Sequence, residues 1–422
     1  MPQSAEMSAE QRPRQRQNRR QIYRRRRALV FGGVAVFLAA GFYLPATLLA
    51  PLEPVSAQVD PIETPNTVQV ALGFPPFGAA GIGAVGFDGV LASTGVSTPV
   101  PIASITKVIT ALVVLDAHPL ELGQPGADIT FSAIDETFYD NQIAADGIVA
   151  DVSVGQVQSQ RNILDVMLMA SANNYADSLA NWAFGSEAAY VTAATAWLAD
   201  RGFSGTSVTD ATGIHPTNQS TVADLIGIAK LALANPVIAE IVATPALDVP
   251  GLGLVSNRNG LLGINGVNGI KTGTLDESGA CLMFSSEQTV GTATITIVGV
   301  VLGGPNHDAV DAAVDSLLSQ ADAGFHQLTV VHAGDTFAQY ETAWGDTSRA
   351  VATRDETIVL WSDTPVSLTV DAAALRLGTA GQHVGEVTIT AGERNYSVQL
   401  ALSRAITEPG IWWRLTNPAK LF

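Results

Sequence analysis

The chain has 422 residues, of which 47% are hydrophobic, and its formal net charge at pH 7 is −17. This length and apolar content exclude a disordered chain and allow about two to three domains. A strongly acidic protein repels nucleic acid, so the charge argues against a nucleic-acid-binding protein. The single cysteine, Cys281, excludes an intrachain disulfide and is predicted to be a small buried residue of a strand.

The N-terminal region combines a basic segment with an apolar one. Residues 1–27 carry nine arginines and two glutamates, a charge of +7, which leaves −24 of the total for residues 28–422. Residues 28–50 are uncharged and would span about 34 Å as a helix, enough to cross a bilayer. Positive charge before the apolar run predicts a cytoplasmic tail over 1–27 and export of the acidic body.

The apolar segment 28–50 is predicted to be a transmembrane signal-anchor or a signal peptide. The small residues Val55-Ser56-Ala57 are typical of a signal-peptidase site, whereas the apolar run is long for a signal peptide. A membrane-associated protein and one secreted after cleavage at Ala57 are therefore both open. A proline-containing linker is predicted over 51–67, holding the body off the membrane.

Two folded domains are predicted after the linker, at 68–325 and 326–422. The first alternates apolar helical segments with strands, whereas the second has a periodicity near two and glycine turns, typical of a small all-β domain. The predicted helices and strands of the first domain are helix 105–117 opening at Ser104, helix 163–184 interrupted at 171–174, helix 221–233, strands 269–273, 281–285 and 292–302, and a closing helix 308–321.

Three short motifs carry the candidate chemistry: Ser-Ile-Thr-Lys at 104–107, Ser-Ala-Asn at 171–173 and Lys-Thr-Gly-Thr at 271–274. Residues three apart share a helix face, so the Lys107 amine is expected beside the Ser104 hydroxyl. Burial, the helix N-terminus and a second amine at Lys271 would each lower the pKa of Lys107. Lys107 is therefore our candidate general base, and Ser104 the nucleophile of an acyl transfer.

The remaining motif residues are candidates for proton relay and substrate binding. Ser171 is predicted to relay a proton between Lys107 and the leaving amine, and Asn173 to hold a substrate amide or Lys107. Lys271 would add positive charge. The residues of its strand would bind the substrate backbone and carboxylate, namely Thr272, Gly273 and Thr274. The N–H groups of Ser104 and Thr274 are the candidate oxyanion donors.

In these motifs the chain resembles the D-alanyl-D-alanine carboxypeptidases, the low-molecular-mass penicillin-binding proteins of bacterial cell walls. The resemblance covers about residues 70–325, and it extends to the segments 210–215, 221–225, 257–262 and 267–270. It implies an α+β fold, in which a helical region packs on a five-stranded antiparallel sheet and a small all-β domain follows. It also implies serine-type removal of the terminal D-alanine from peptidoglycan stem peptides, acylation by β-lactams, and no metal or other cofactor.

One departure from the family concerns the substrate carboxylate. After Gly303-Gly304 the family commonly has an arginine thought to meet this carboxylate, and the segment 305–308 of this chain, Pro-Asn-His-Asp, has none. The carboxylate would then be bound by Lys271, Thr272 and Thr274, with Arg258 as an additional candidate. His307 is not predicted to be a site residue.

Two other functions stay open. A class A β-lactamase shares the serine, the lysine and Lys-Thr-Gly, but it needs a glutamate to activate water. The first glutamate after Ser171 is Glu187, and it lacks the Leu-Asn that normally accompanies that base. A non-catalytic penicillin-binding or scaffold protein with an inactive cleft is the second alternative.

Overall fold

The computed structural model describes residues 11–61 and 69–421. Helix α1 (Gln11–Leu48) contains the apolar run, and its segment Gln21–Leu48 is long and apolar enough to cross a membrane. Strand β1 (Gln58–Val59) follows it. The predicted start of the first domain near Val68 lies outside the described residues.

The remaining helices are α2 (Thr106–Ala117), α3 (Ala133–Ala144), α4 (Gln160–Met169), α5 (Asn173–Phe184), α6 (Glu187–Asp200), α7 (Val222–Ala234), α8 (Pro236–Ala243), α9 (His307–Gly324) and α10 (Ile411–Thr416). The strands of the first region are β2 (Ala79–Ala84), β3 (Ala92–Thr94), β4 (Val100–Pro101), β5 (Asp128–Thr130), β6 (Val157–Ser159), β7 (Gln219–Ser220), β8 (Ala246–Val249), β9 (Gly253–Ser256), β10 (Val267–Leu275), β11 (Gly279–Val290) and β12 (Ala293–Gly304). The last strands are β13 (Phe325–Val331), β14 (Thr336–Glu341), β15 (Thr347–Ala352), β16 (Glu356–Trp361), β17 (Val366–Ala372), β18 (His383–Ala391) and β19 (Arg394–Leu402).

A five-stranded antiparallel sheet organises the first region, in the order β10-β11-β12-β2-β3. One face packs mainly against α7 and α8, and α2, α4 and α5 complete the apolar core on that side. The other face is covered by α9, through apolar residues spaced for one helix face: Val310, Val314, Leu317 and Leu318. The predicted α+β fold with its five-stranded sheet is confirmed, and the predicted buried position of Cys281 in a strand is confirmed as well.

The helices differ from the sequence predictions at two of their ends. Ser104 lies in a 3₁₀ turn, Ala103–Ile105, which leads into α2, and not in the α-helix itself. Thr221, at the start of the predicted helix 221–233, caps α7 by accepting a hydrogen bond from the Asp224 N–H. Asn235-Pro236 ends α7 but also starts α8, because Asn235 caps the new helix and proline is compatible with its first position.

The second region is all-β up to its C-terminal helix α10. Its main sheet has six strands in the order β1-β14-β15-β19-β18-β17, and β13 pairs separately with β16. The predicted glycine turns at Gly334, Gly345 and Gly381 all have positive φ. We call this region the β module; its boundary at 325/326 stays a prediction.

The segment after the apolar helix differs from the predicted spacer. Gln58 and Val59 add an edge strand to the β module, and Ala50 and Leu52 are buried in a small apolar cluster with Leu421. Residues 50–60 are thus part of a packed structure, because their backbone and apolar groups find partners there.

A tight cross-strand pair in the central sheet can be tested by mutation. Phe284 on β11 faces Gly299 on β12, and a Cβ on Gly299 would lie 2.3 Å from the Phe284 ring. We expect Phe284→Ala to lower the free energy of unfolding by about 3–5 kcal/mol, and Gly299→Ala to lower it by about 1–3 kcal/mol through overpacking. Because the added methyl fills space vacated by the ring, the double variant should be more stable than the sum predicts. Urea unfolding of the detergent-solubilised chain provides the free energies. If the loss in the double variant equalled the sum of the two single losses, this packing would be contradicted.

Candidate active site

The first motif brings an amine and a hydroxyl together at the start of α2. The Lys107 Nζ lies 2.9 Å from the Ser104 Oγ, and the lysine side chain is fully buried. The 3₁₀ turn places the two residues on one side, as the three-residue spacing predicted. This is hydrogen-bonding distance, so a proton can pass directly between the two groups.

The turn that carries Ser104 is held in an unusual backbone conformation. Ala103 has φ +48°, a value that non-glycine residues seldom adopt. Gly213, with φ +81°, passes so close that a Cβ there would lie 1.9 Å from the Ala103 carbonyl oxygen. The Thr106 hydroxyl donates to that same oxygen at 2.8 Å. A glycine is therefore required opposite this turn, and the packed loop holds the serine in place.

Lys107 makes two further hydrogen bonds, and its environment lowers its pKa. The amine donates to Asn173 Oδ1 and to the Thr212 carbonyl oxygen, both at 2.7 Å. Burial, assisted by the charge of Arg258, lowers the pKa of Lys107 from 10.5 to about 7, although Asp210 and Asp177 act in the opposite direction. A substantial fraction of Lys107 is therefore neutral at neutral pH and able to accept a proton.

Asn173 connects Lys107 to a buried polar chain that the sequence motifs did not indicate. Its Nδ2 donates to Gln142 Oε1 at 2.8 Å, and Gln142 Nε2 donates to Asp177 Oδ2 at 2.7 Å. Burial raises the pKa of Asp177 to about 7, despite the hydrogen bond from Gln142. Asn173 lies in the first turn of α5, where the loop after α4 ends, so the predicted interruption of the helix serves to aim this side chain.

Ser171 is close to Asn173 in sequence, but its hydroxyl is not hydrogen-bonded to the polar chain of Asn173, Gln142 and Asp177. The residue has φ +65° and is 2% exposed. Its Oγ has no hydrogen-bond partner among residues 11–61 and 69–421. A buried hydroxyl without a partner is unfavourable, and a left-handed serine is uncommon, so both features direct attention to a role in binding or catalysis. The predicted relay role stays a prediction.

Asp210 builds the loop that presents the Thr212 carbonyl to Lys107. Its carboxylate accepts hydrogen bonds from four surrounding residues: Thr212, Gly213, His215 and Asn218. Burial alone would raise the pKa of Asp210, but these donors outweigh burial and lower it. The segment 210–215 was noted for its resemblance, and the structure gives it this positioning role beside the lysine.

Lys271 and Gly273 lie on β10, the edge strand that faces the serine turn. The Lys271 amine is 2% exposed and donates to the Thr272 carbonyl oxygen at 3.0 Å. Burial, followed by repulsion from Lys107 and Arg258, lowers the pKa of Lys271 well below 10.5. A Cβ on Gly273 would lie 3.2 Å from the Ser104 nitrogen, so glycine allows the strand backbone to approach the turn. The third motif thus meets the first directly, as the second does through Asn173, and Lys271 is close enough to Lys107 for their charges to interact.

Thr274 and Arg258 are the exposed polar groups of the site. Thr274 Oγ1 lies 2.7 Å from Nε2 of His307, the first residue of α9. His307, which was not selected from the sequence, therefore touches the strand at the position where a carboxylate was expected. Arg258 is held by its backbone N–H, which donates to the Met169 carbonyl at 3.1 Å, beside the Ser171 loop. Its positive charge helps to lower the pKa of Lys107 and of Lys271.

Within the described residues, no three side chains of His, Cys, Asp or Glu lie together as a metal-binding group.

Comparison with known proteins places this geometry in a family. The sequence model of the D-alanyl-D-alanine carboxypeptidase family matches residues 87–306, about half of the chain. The chain is similar to a D-alanyl-D-alanine endopeptidase of Pseudomonas aeruginosa, with 31% identity over 221 residues, 50% of this chain and 66% of the relative. It is also similar to the D-alanyl-D-alanine carboxypeptidase DacB2 of Mycobacterium tuberculosis, with 32% identity over 179 residues, 41% of this chain and 57% of the relative. The chain thus covers less than two thirds of either relative.

Solved structures support the fold over a longer part of the chain. A peptidoglycan synthesis regulatory factor (PBP3) from Streptococcus pneumoniae aligns with 78% of this chain and 99% of its own, at 21% identity and a TM-score of 0.58. Penicillin binding protein 5 from Haemophilus influenzae aligns with 83% of this chain and all of its own, at 19% identity and a TM-score of 0.54. The family match includes the three motifs and the loop of Asp210, and we conclude that this chain belongs to the D-alanyl-D-alanine carboxypeptidase family.

Proposed function

We propose that this chain is a serine-type, penicillin-binding D-Ala-D-Ala carboxypeptidase, which removes the terminal D-alanine of peptidoglycan stem peptides. The observation that carries the proposal is the 2.9 Å contact between the Ser104 hydroxyl and a fully buried lysine whose pKa is lowered to about 7. The enzyme would act outside the cytoplasm, held at the membrane through residues 28–50.

In the acylation step, neutral Lys107 accepts the proton of Ser104 as its Oγ attacks the carbonyl carbon of the penultimate D-alanine. The negative charge that develops on the carbonyl oxygen is stabilised by the N–H groups of Ser104 and Thr274. The close approach of Gly273 to the Ser104 nitrogen supports this pairing of donors. Asn173 holds the lysine amine in line with the hydroxyl.

In the following steps the peptide bond breaks and the acyl-serine is hydrolysed. The proton taken up by Lys107 passes to the departing D-alanine nitrogen, with Ser171 as the relay between them. A water molecule then attacks the ester carbon and gives a proton to Lys107. Lys107 passes this proton to Ser104 Oγ as the bond between Oγ and the acyl carbon breaks, which restores the serine and releases the shortened peptide with a new C-terminal carboxyl group. The partnerless buried hydroxyl of Ser171 supports the relay, because the substrate amine would supply the missing partner.

The substrate carboxylate is assigned to the open end of β10. Lys271 supplies charge beneath the strand, while Thr272 and Thr274 supply hydroxyls. His307 contacts this group through Thr274, and Arg258 is close enough to Lys271 for its charge to act on that amine. An arriving carboxylate would favour the protonated form of Lys271, whose pKa is lowered in the free enzyme partly by neighbouring cations.

Ser104→Ala provides the direct test of the activity. We expect the wild-type chain to release D-alanine from a Lys-D-Ala-D-Ala peptide and to form a penicillin adduct detectable by intact-mass spectrometry, whereas Ser104→Ala should do neither. A penicillin adduct without D-alanine release would favour the non-catalytic binding protein. An adduct that persists in Ser104→Ala would remove the serine from the reaction.

The same assay separates the other candidate activities. The likeness to an endopeptidase favours a crosslinked muropeptide as a second substrate, whose cleavage yields monomers and no free D-alanine. For a β-lactamase, a chromogenic cephalosporin would be turned over rapidly. The hydrogen bonds of Lys107 go to Ser104, Asn173 and Thr212, so Glu187 is not among its partners. We expect slow cephalosporin turnover and release of D-alanine.

The lowered pKa of Lys107 predicts the pH dependence of acylation. Only the neutral amine accepts a proton, so the second-order rate constant for penicillin acylation should rise with pH and level off above about 7. Lys107→Ala should slow acylation by ~10³-fold or more. Stopped-flow acylation across pH 5–9 provides the measurement.

Asp177→Asn is the matched control, because the pKa of Asp177 is also raised to about 7. The asparagine can still accept the hydrogen bond from Gln142 but cannot titrate. Since the Asp177 carboxylate raises the pKa of Lys107, its removal should shift the rise of the acylation rate constant to lower pH. If the acylation rate constant of Asp177→Asn did not change with pH, then Asp177, and not Lys107, would be the titrating group.

Arg258→Ala and His307→Ala test the carboxylate assignment. A hydrogen bond to a charged group contributes about 1.5–3 kcal/mol, so each variant should raise KM for the peptide roughly tenfold or more, with a smaller effect on kcat. The peptide with a C-terminal amide serves as control, because it lacks the carboxylate and should not distinguish the variants from wild type. A variant with unchanged KM would be removed from the carboxylate site.

A further inference from the structure

The segment that follows the apolar helix is built into the β module by its backbone. The Val55 N–H donates to the Leu375 carbonyl at 2.7 Å, and the Leu375 N–H donates back to Val55 at 3.0 Å. Gln58 and Val59 extend the six-stranded sheet through β14, and the Asp60 N–H donates to Phe337 at 3.1 Å. These bonds cover an edge of the sheet that would otherwise be open.

The C-terminal helix α10 is hydrogen-bonded to the end of α1 and to the residues that follow it. Arg414, which is 6% exposed, donates to the Ala50 carbonyl at 2.8 Å through its Nη1. The Tyr43 hydroxyl on the last turns of α1 donates to the Leu415 carbonyl at 2.6 Å. The β module is thus attached to the apolar helix both through the chain and through the side chain of a buried arginine.

A small apolar cluster fills the space between these attachments. Ala50, Leu52 and Leu421 are buried there, and Trp344 and Trp413 pack on them with their rings 5.9 Å apart. We call the contacts of residues 43–60 with α10 and the β module the anchor junction. It brings together residues that are between 277 (Asp60 and Phe337) and 372 (Tyr43 and Leu415) positions apart, so it is a tertiary structure and not a local turn.

Large apolar side chains at the anchor junction nevertheless face outward. Trp412 is 76% exposed, Ile411 is 69% exposed and Leu49 is 80% exposed. They adjoin α1, whose large apolar side chains from Ile22 to Leu44 are exposed. Trp344, Trp412 and Trp413 are three of the six tryptophans of the chain. Tryptophan and tyrosine favour the boundary between lipid headgroups and acyl chains, and Tyr43 is bound to the same helix.

We propose that the anchor junction is retained after export and seats α10, through Ile411 and Trp412, in the headgroup boundary of the bilayer that holds α1. The β module is then fixed at the membrane surface and does not swing on a free linker. Cleavage after Ala57 would remove Ala50, Leu52 and Val55, and with them the partners of Arg414 and Leu375. The occupant of the exposed apolar face is the lipid surface itself, because that face is continuous with the membrane-spanning helix. This inference depends on membrane anchoring but not on the proposed peptidase reaction.

Tryptophan quenching by lipid tests the seating of α10. The full chain, exported in bacteria and reconstituted into phosphatidylcholine/phosphatidylglycerol vesicles with brominated acyl chains, should show quenched tryptophan emission. Trp412→Phe should lose most of the quenched intensity, because Trp344 and Trp413 pack inside the junction whereas Trp412 is 76% exposed. The matched control is Trp182→Phe, on α5 against His118 and away from α10, which should lose none. Equal quenching in wild type and Trp412→Phe would overturn the proposal.

Proteolysis and intact mass test the retention and rigidity of the anchor junction. In the exported wild type we expect a chain that still contains residues before Ala57, and protection of 49–60 against added protease. The double variant Tyr43→Phe/Arg414→Ala should be cut there severalfold faster. An exported wild-type chain that begins at Gln58, or equal cutting of both proteins, would overturn the proposal. Fluorescent penicillin labelling of the same vesicles reports on Ser104 independently, so failure of the peptidase and failure of the junction are distinguishable.

Discussion

The active site depends on the burial of two amines in one pocket. Lys107 and Lys271 are both almost completely removed from water, and each is disfavoured as an ammonium by desolvation. In the part of the chain that the structure describes, Lys107 has no carboxylate among its hydrogen-bond partners, which are the side chains of Ser104 and Asn173 and the Thr212 carbonyl oxygen. An amine held in this way gives up its proton near neutral pH. The surrounding fold can be understood as the scaffold that makes this burial stable.

Each element around the pocket contributes to that burial from a different direction. The apolar α2 carries Lys107 into the core between sheet and helices, and the edge strand β10 closes the other side through the approach of Gly273. The Asp210 loop, fastened by its four donor residues, supplies the Thr212 carbonyl and packs Gly213 on the serine turn. The site therefore rests on positive-φ positions and close backbone approaches, which tolerate few side chains.

The sequence predicted those parts of the site and fold that depend on local spacing. Ser104 and Lys107 meet because three residues make one turn, and the buried face of α9 follows its periodicity. The link from Asn173 to Asp177 was missed because it passes through Gln142, 31 residues before Asn173, and no local sequence pattern indicates that contact. His307 was passed over because only the register of β10 against the start of α9 brings it to Thr274. The prolines at 51–61 indicated a spacer, but burial of Leu52 and pairing of Val55 outweigh their local preference.

The charge state of Lys107 is the most direct test of this account, and the composition makes it measurable. The chain contains only four lysines, at 107, 230, 271 and 420. With ¹³Cε- and ¹⁵Nζ-labelled lysine, the resonance that disappears in Lys107→Ala can be assigned and followed by NMR as a function of pH. We expect it to titrate at about 7. Titration of that resonance near the ordinary lysine value of about 10.4 would contradict a neutral lysine base beside Ser104.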